Sequence, residues 1–210
     1  MANFNMHISV ATIASGLVAT LCLQVGFVST NDALLLTLMG TLGGILPDID
    51  LSYSYPSRII FSLLGLGGAF TVIFAKASQW SILELWLAGI VIFSLIRFPL
   101  WYVFHQHTRH RGMIHSIPTA LLTLFTTTIF SYYLLEKSSF TSWMMGSMAF
   151  FGFIIHLILD ELYSVDFMNR RIKRSFGTAF KLYDYKYHGQ SLTIIALMYV
   201  AAAYTPSPER

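Results

Sequence analysis

Histidine and aspartate recur in short, closely spaced motifs along this 210-residue chain. The sharpest motif is HLILD, in which His156 and Asp160 are four residues apart and so project from one face of a helix. An ionisable side chain inside an apolar segment is costly, and it usually faces a partner, a metal or a water-filled cavity. The pair therefore predicts either two metal ligands or a His–Asp hydrogen bond that joins two helices.

A second motif, GGILPDID, places two carboxylates directly behind an apolar run. Asp48 and Asp50 are two residues apart, and on a helix they would point to opposite faces. They can converge only where Pro47 has ended the helix, since proline cannot continue it. The motif predicts either a pair of metal-ligating carboxylates or an acidic turn at a membrane surface.

The histidine-rich stretch HQHTRHRGMIHS supplies the imidazoles, which are the commonest metal ligands in proteins. Gly112 permits a bend that would bring His110 and His115 together. The alternative is a solvated cationic loop that meets lipid headgroups. We expect that simpler role for His105 and His107, as loop residues.

The composition shows what must position these motifs. Hydrophobic residues make up 55% of the chain and charged residues only 11%, with a mean hydropathy of +0.63. Soluble domains carry about 25% charged residues, so this chain has less than half the usual share. The single cysteine, Cys22, excludes an intramolecular disulfide. The composition indicates a membrane protein, and we expect no nucleic-acid partner.

Apolar segments follow one another at the length of membrane spans, which need about 20 mostly apolar residues. Six segments lie near residues 8–28, 31–47, 59–76, 82–104, 114–135 and 142–164, and a weaker one lies near 190–204. The sequence therefore predicts an all-α, polytopic transmembrane helical bundle of six to seven segments. We expect one membrane-embedded domain over 1–210, in which 165–210 forms a basic loop and a short last segment.

Basic residues are distributed unequally between the loops of this topology. If the segments alternate, residues 1–7, 48–58, 105–113 and 165–189 share one side. That side carries Arg58, Arg109, Arg111, Arg170, Arg171, Lys173, Arg174, Lys181 and Lys186. The opposite side carries only Lys76 and Lys137. The positive-inside rule then places the N-terminus and the basic loops in the cytoplasm.

The same alternation places all candidate metal ligands on the cytoplasmic side. They are His7, Asp48, Asp50, His110, His115, His156 and Asp160. Mixed nitrogen and oxygen donors without thiolate suit a catalytic zinc, manganese or iron ion better than a closed structural zinc site. Seven candidate ligands exceed one tetrahedral shell, which suits a centre of two metal ions. We therefore expect one or two divalent ions. Such a centre can activate water and clamp the oxygens of a displacement reaction.

In chain order, His7, GGILPDID, HRGMIHS and HLILD resemble the YdjM-type family of bacterial inner-membrane proteins, described as metal-dependent hydrolases. The resemblance runs from residue 7 to about residue 165. It implies a multi-span hydrolase of the inner, cytoplasmic membrane with the seven ligands above at matching positions. Arg111 and Ser116 also match, and we assign Arg111 to a phosphate oxygen and Ser116 to orienting a water or a ligand. Leu51 departs from the family pattern, which often has histidine there.

These features predict a membrane-bound enzyme in which metal-activated water attacks an ester. The expected substrate is a phosphoester, either lipid-linked or a soluble small molecule, and membrane lipid is the expected partner. A divalent-metal transporter is the first alternative, but its ligands should lie near the bilayer midplane. A structural membrane protein stabilised by metal is the second alternative, and a turnover assay separates it from the enzyme.

Overall fold

The computed structural model describes residues 3–50, 54–107, 112–166, 171–172 and 180–208. Its α-helices are α1 (Phe4–Gln24), α2 (Thr30–Ile45), α3 (Tyr55–Lys76), α4 (Ile82–Leu95), α5 (Trp101–His107), α6 (Ile117–Tyr133), α7 (Ser139–Leu162) and α8 (His188–Tyr204). Each of the seven predicted apolar segments is helical, which confirms the predicted helical bundle. His110, Arg111 and residues 167–170 and 173–179 of the predicted basic loop lie outside the described residues.

Two helices change their winding near a proline. Helix α2 passes into a 3-10 helix, Leu46–Asp50, which contains Pro47. Helix α4 passes through a π-helical turn, Ile96–Leu100, into α5. That turn contains Pro99, which has no N–H to donate to a helical carbonyl. Both local changes fall next to residues that the sequence analysis singled out.

Five helical stretches are long and apolar enough to cross a membrane, by length and composition, among the described residues. They are Phe4–Gln24, Thr30–Asp50, Tyr55–Lys76, Ile82–Gln106 and Ser139–Leu162. The remaining long helices, α6 and α8, have 17 residues each. Two-residue strands, β1 (Val165–Asp166) and β2 (Arg171–Ile172), pair antiparallel at the start of the predicted basic loop.

The chain divides into two compact units. The first comprises Met1–Pro47 and Arg111–Arg210, and the second comprises Asp48–His110. In the first unit, α2 packs against α1 and α7, and α6 packs against α7 and α8. In the second unit, α3 packs against α4. The predicted single domain over 1–210 stays a prediction.

Glycines permit the closest helix contact of the first unit, between α2 and α7. A Cβ on Gly152 would lie 1.8 Å from the Gly40 carbonyl oxygen, and a Cβ on Gly43 would lie 2.0 Å from the Ala149 carbonyl oxygen. Real Cβ atoms do not approach backbone this closely, so the two helices meet through their backbones. Close backbone contact at small residues is typical of helix pairs in lipid.

The two ends of the first unit differ in character. At one end, Lys137 Nζ lies 2.9 Å from Asp32 Oδ1, and the Trp143 indole N–H donates to the Pro206 carbonyl at 2.8 Å. At the other end, the Ile117 backbone N–H donates to the Lys181 carbonyl at 3.2 Å. This second end also holds the first turn of α1 and the last turns of α7, and it carries the buried histidines.

Candidate metal centre

Helix α7 supplies two of the clustered side chains, as their spacing predicted. His156 Nε2 lies 3.8 Å from Asp160 Oδ2 across one helical turn. His156 Nδ1 lies 2.8 Å from the Gly44 carbonyl oxygen. A carbonyl only accepts hydrogen bonds, so Nδ1 carries a proton, and in the neutral ring Nε2 presents its lone pair towards Asp160. Fixing the tautomer through the second ring nitrogen is how metal-ligating histidines are usually oriented.

His7 joins this pair from the first turns of α1, whose N-terminus is capped by Asn3. Its Nε2 lies 3.4 Å from Asp160 Oδ1, and its ring stacks on His156 with centroids 3.8 Å apart and an angle of 15° between the planes. The Nδ1 atom of His7 is buried and has no hydrogen-bond partner among the described residues. An uncompensated buried donor or acceptor is costly, and such an atom in a native structure calls for an explanation such as an ion.

His115 reaches the same carboxylate from the segment that precedes α6. Its backbone N–H donates to the Gly112 carbonyl at 3.2 Å, which closes a turn at the glycine that the sequence analysis identified. His115 Nε2 lies 3.9 Å from Asp160 Oδ2, and its ring meets His156 edge-on at a centroid distance of 5.6 Å. The predicted approach of His110 to His115 concerns a residue outside the described part of the chain.

These four side chains form one buried cluster, here called the His–Asp cluster: His7, His115, His156 and Asp160. The exposed fraction of each is at most 2%. Ligand atoms of His7, His156 and Asp160 all lie within 4.8 Å of one another, which lets them surround a single ion. Three imidazoles and one carboxylate match the nitrogen and oxygen donors that zinc and similar divalent metals take in open sites. The residues present therefore fit a metal ion.

Asp48 and Asp50 belong to the second unit and lie in the 3-10 helix. Their exposed fractions are 8% and 4%, so the carboxylates do not project into solvent as a surface turn would. The Ser54 hydroxyl donates to the Asp48 carbonyl at 3.0 Å, which ties the turn to the start of α3. Metal ligation by these two carboxylates stays a prediction.

Ser116 is buried and forms the N-cap of α6. Its hydroxyl donates to the Met113 carbonyl and accepts from the Thr119 backbone N–H at 3.4 Å. The side chain thus fixes the start of the helix directly after His115. The role in orienting a water or a ligand that we assigned to it stays a prediction, as does the role of Arg111, which lies outside the described residues.

The expectation that His105 and His107 lie in a loop is wrong. Helix α5 runs through both residues, because the π-helical turn lets the helix continue beyond Pro99. His105 Nδ1 lies 2.7 Å from the Trp101 carbonyl, and Nε2 lies 3.1 Å from the Ile49 carbonyl. Hydropathy gave no sign of this, because the polar residues of α5 end the apolar run although the helix goes on.

Sequence reasoning also missed the Gly44 carbonyl as the partner of His156. A backbone oxygen carries no residue-type signal, so no motif in the sequence identifies it. A Cβ on Gly44 would lie 2.3 Å from the Ala11 Cβ, so this position also serves the contact with α1.

The comparisons with known proteins agree with this architecture. The profile of the family described as YdjM inner membrane protein matches residues 1–205, nearly the whole chain. The match includes all four residues of the His–Asp cluster and the five helical stretches long enough to span a membrane. Neither a curated protein nor a solved structure shows a significant match. The chain belongs to the YdjM family of inner membrane proteins.

Proposed function

We propose that this protein is a membrane-embedded, metal-dependent hydrolase that cleaves a phosphoester. The observation that carries the proposal is the His–Asp cluster, in which three imidazoles converge on one carboxylate inside an apolar bundle. Helices that needed only mutual packing would gain more from apolar side chains, since a buried ionic group is weak support for stability. The arrangement supports a ligand-binding function.

Different residues of the chain would bind such an ion and orient its ligands. The Gly44 carbonyl fixes the tautomer of the neutral His156 ring, so the lone pair on Nε2 is directed into the cluster. His7 and His115 approach Asp160 from other elements and close the site on two sides. A bound divalent ion, which we propose to be zinc with manganese or iron as alternatives, supplies Lewis acidity and makes water more acidic.

The position of the cluster along its helices favours an enzyme over a transporter. His7 is the fourth residue of α1, and Asp160 is the third residue from the end of α7. At 1.5 Å per residue, α7 is about 36 Å long, so Asp160 lies about 3 Å from its end. Transporter sites lie near the bilayer midplane at broken helices. A site at the end of the helices is instead within reach of headgroups and soluble substrates.

The choice of a phosphoester rests on charge. A divalent ion with the single carboxylate of the cluster leaves a positive site, which suits an anionic ester. Arg111 lies four residues before His115 in the sequence, and its planar guanidinium matches phosphate oxygens. A site at one end of an apolar bundle also suits a lipid-linked substrate, and on the positive-inside distribution that end faces the cytoplasm.

The test is release of phosphate or alcohol by the purified, metal-loaded protein from phospholipids, lipid phosphates and soluble phosphoesters. We expect turnover with Zn²⁺ or Mn²⁺ and loss of turnover after chelation. Arg111→Ala should lower activity by roughly 100-fold, the scale of losing one transition-state contact, and should leave the metal content unchanged. Lys137→Ala, which removes a cation from the opposite end of the first unit, is the matched control and should retain activity.

Two results would contradict the proposal. Metal-loaded protein that hydrolyses none of these esters but carries divalent ions across proteoliposomes would be a transporter. Metal-loaded protein with neither activity would be a structural protein stabilised by its ion, and removing the metal should then lower the melting temperature alone.

A further inference from the structure

A hydrogen-bonded cluster in the second unit holds the backbone of the acidic turn, the 3-10 helix that carries Asp48 and Asp50. His105 Nε2 lies 3.1 Å from the Ile49 carbonyl oxygen and 3.2 Å from Ser57 Oγ. The Trp101 indole N–H donates to Ser57 Oγ at 2.8 Å, and Ser57 is fully buried. The imidazole, the indole and the hydroxyl thus form a connected network next to the turn.

The second anchor of the turn comes from the start of α3. The Ser54 hydroxyl donates to the Asp48 carbonyl at 3.0 Å, so two successive carbonyls of the turn have side-chain partners. Because each peptide unit is planar, fixing the carbonyls of Asp48 and Ile49 also fixes the N–H groups of Ile49 and Asp50. The backbone from which both carboxylates project is therefore held at two points.

The side chain of His105 is itself firmly placed. Its Nδ1 lies 2.7 Å from the Trp101 carbonyl, one helical turn back. Its ring lies among aromatic side chains, with centroids 4.6 Å from Trp101, 5.2 Å from Phe104 and 6.0 Å from Phe61. Carbonyl oxygens only accept, so the ring is the donor in each carbonyl bond that it makes, and the tautomer with the proton on Nε2 donates to Ile49. Packing on this scale is far more than a solvated loop histidine would need.

We propose that His105 is a positioning residue, which donates to the Ile49 carbonyl and so sets the directions of the Asp48 and Asp50 carboxylates for metal binding. The inference rests on the proposed function, because it assumes that the acidic turn supplies metal ligands. Groups that orient ligands without touching the metal change affinity substantially when they are removed. The network of His105, Ser57 and Trp101 gives this turn the same kind of support.

The test compares Zn²⁺ affinity of the full chain and its variants in detergent, by competition with a chromogenic chelator. His105→Phe keeps a ring but no donor, and it should weaken binding by roughly tenfold. His105→Gln places an amide N–H near the position of Nε2 and should restore most of the affinity. His188→Phe removes an exposed histidine bonded to the Tyr183 hydroxyl at 2.8 Å and should change nothing.

Melting temperatures of the metal-free variants show that each one is folded, and Ser57→Ala provides a milder change in the same network. Wild-type affinity in His105→Phe, or equal losses in the Phe and Gln variants, would overturn the positioning role. If Asp50→Ala binds Zn²⁺ as well as the wild type, the acidic turn holds no ligand and the inference fails, while the His–Asp cluster keeps its function. A wild-type chain that binds no Zn²⁺ overturns the proposed function as well.

Discussion

At the scale of single residues, the central feature is one carboxylate that lies close to three imidazoles. Asp160 Oδ1 faces His7, and Asp160 Oδ2 faces both His115 and His156. The shortest of these nitrogen–oxygen separations is 3.4 Å, which is longer than a good charge-assisted hydrogen bond of about 2.8 Å. Separations of 3.4–3.9 Å between these nitrogen and oxygen atoms leave room for an ion among them.

Asp160→Asn tests that reading with almost no change of volume. The amide has one neutral oxygen and two donors, so we expect Zn²⁺ affinity to fall by about 100-fold or more. Elemental analysis of the purified protein should show less than one retained ion per chain. Asp32→Asn removes a carboxylate paired with Lys137 at the opposite end, and its metal content should match the wild type. Unchanged metal in folded Asp160→Asn would remove the proposed centre.

The residue scale also shows where prediction from the sequence succeeds. His156 and Asp160 share a helix, so their spacing alone predicts that they face the same way. The partners of Asp160 come from residue 7 and residue 115, and the alternation of segments placed them at one end without giving distances. Contact among them depends on how α1, α6 and α7 pack, which no local pattern specifies.

At the scale of elements, the contact between α2 and α7 sets the geometry of the cluster. The Gly44 carbonyl reaches His156 only because the two helices meet without intervening side chains. No pattern in the sequence predicted which carbonyl would meet the imidazole. The π-helical turn at Pro99 could not be predicted from the sequence either, since a proline inside an apolar segment is compatible with a kink, a break or a wider turn.

Gly152→Ala should separate α2 from α7. The new methyl group would lie 1.8 Å from the Gly40 carbonyl oxygen, and backbone cannot yield as a flexible side chain does. We expect a loss of about 1–3 kcal/mol in stability and weaker Zn²⁺ binding, because His156 loses the Gly44 carbonyl. In Gly67→Ala the methyl group meets nothing within 4 Å, so helix propensity should make that variant slightly more stable. Equal melting temperatures and affinities in both variants would contradict this account.

The segment before α8 is held by a charged turn at Asp184. Its carboxylate accepts from Lys181 Nζ at 3.1 Å and from the Lys186 backbone N–H at 3.0 Å. Burial raises the pKa of this carboxyl, but the hydrogen bonds and the charges of the two lysines outweigh it and hold the pKa below 3.8. A lowered folded-state pKa contributes stability above the unfolded value, and that stability is lost as the pH falls through the folded value.

Asp184→Asn should therefore lower the melting temperature at pH 7, with a loss on the order of 0.5–1 kcal/mol. Asparagine still accepts the Lys186 N–H, so the substitution mainly removes the charge. The difference from the wild type should shrink as the pH falls below the unfolded pKa of 3.8. Melting curves at pH 7 and at a pH below 3.8 provide the measurement. A difference in melting temperature that persists at the lower pH would show that the charge of Asp184 does not cause it.

At the scale of the whole molecule, the number of helical segments and the family could be predicted, because both depend on composition and on motifs in order. The division into two units was not visible in the sequence, which has no linker of domain size. The assignment of the His–Asp cluster to the cytoplasmic side rests on the unequal distribution of basic residues between the loops. Helix α8 decides whether the chain ends on the opposite side.

We expect α8 to cross the membrane with its ends on opposite sides. Its 17 residues extend about 25 Å, slightly less than the 30 Å of a typical hydrocarbon core. It nonetheless runs the length of the first unit. Before the helix, the Lys181 carbonyl accepts from the Ile117 backbone N–H at the end that holds the cluster. After the helix, the Pro206 carbonyl accepts from the Trp143 indole N–H at the other end.

Single cysteines at Tyr185 and Ser207, in a chain with Cys22→Ala, test this topology, since both positions are exposed. A membrane-impermeant maleimide added to intact cells should label Ser207→Cys, and Tyr185→Cys should react only after the membrane is opened. That result would place the His–Asp cluster on the cytoplasmic side, because Tyr185 follows Lys181 at the cluster end. Labelling of Tyr185→Cys alone from outside would reverse the sidedness, and labelling of neither would confine α8 to the cytoplasmic face. Lys137→Cys, next to Asp32 at the end far from the cluster, distinguishes these two topologies. It should react from outside if only α8 fails to cross, and it should stay protected if the whole bundle is inverted.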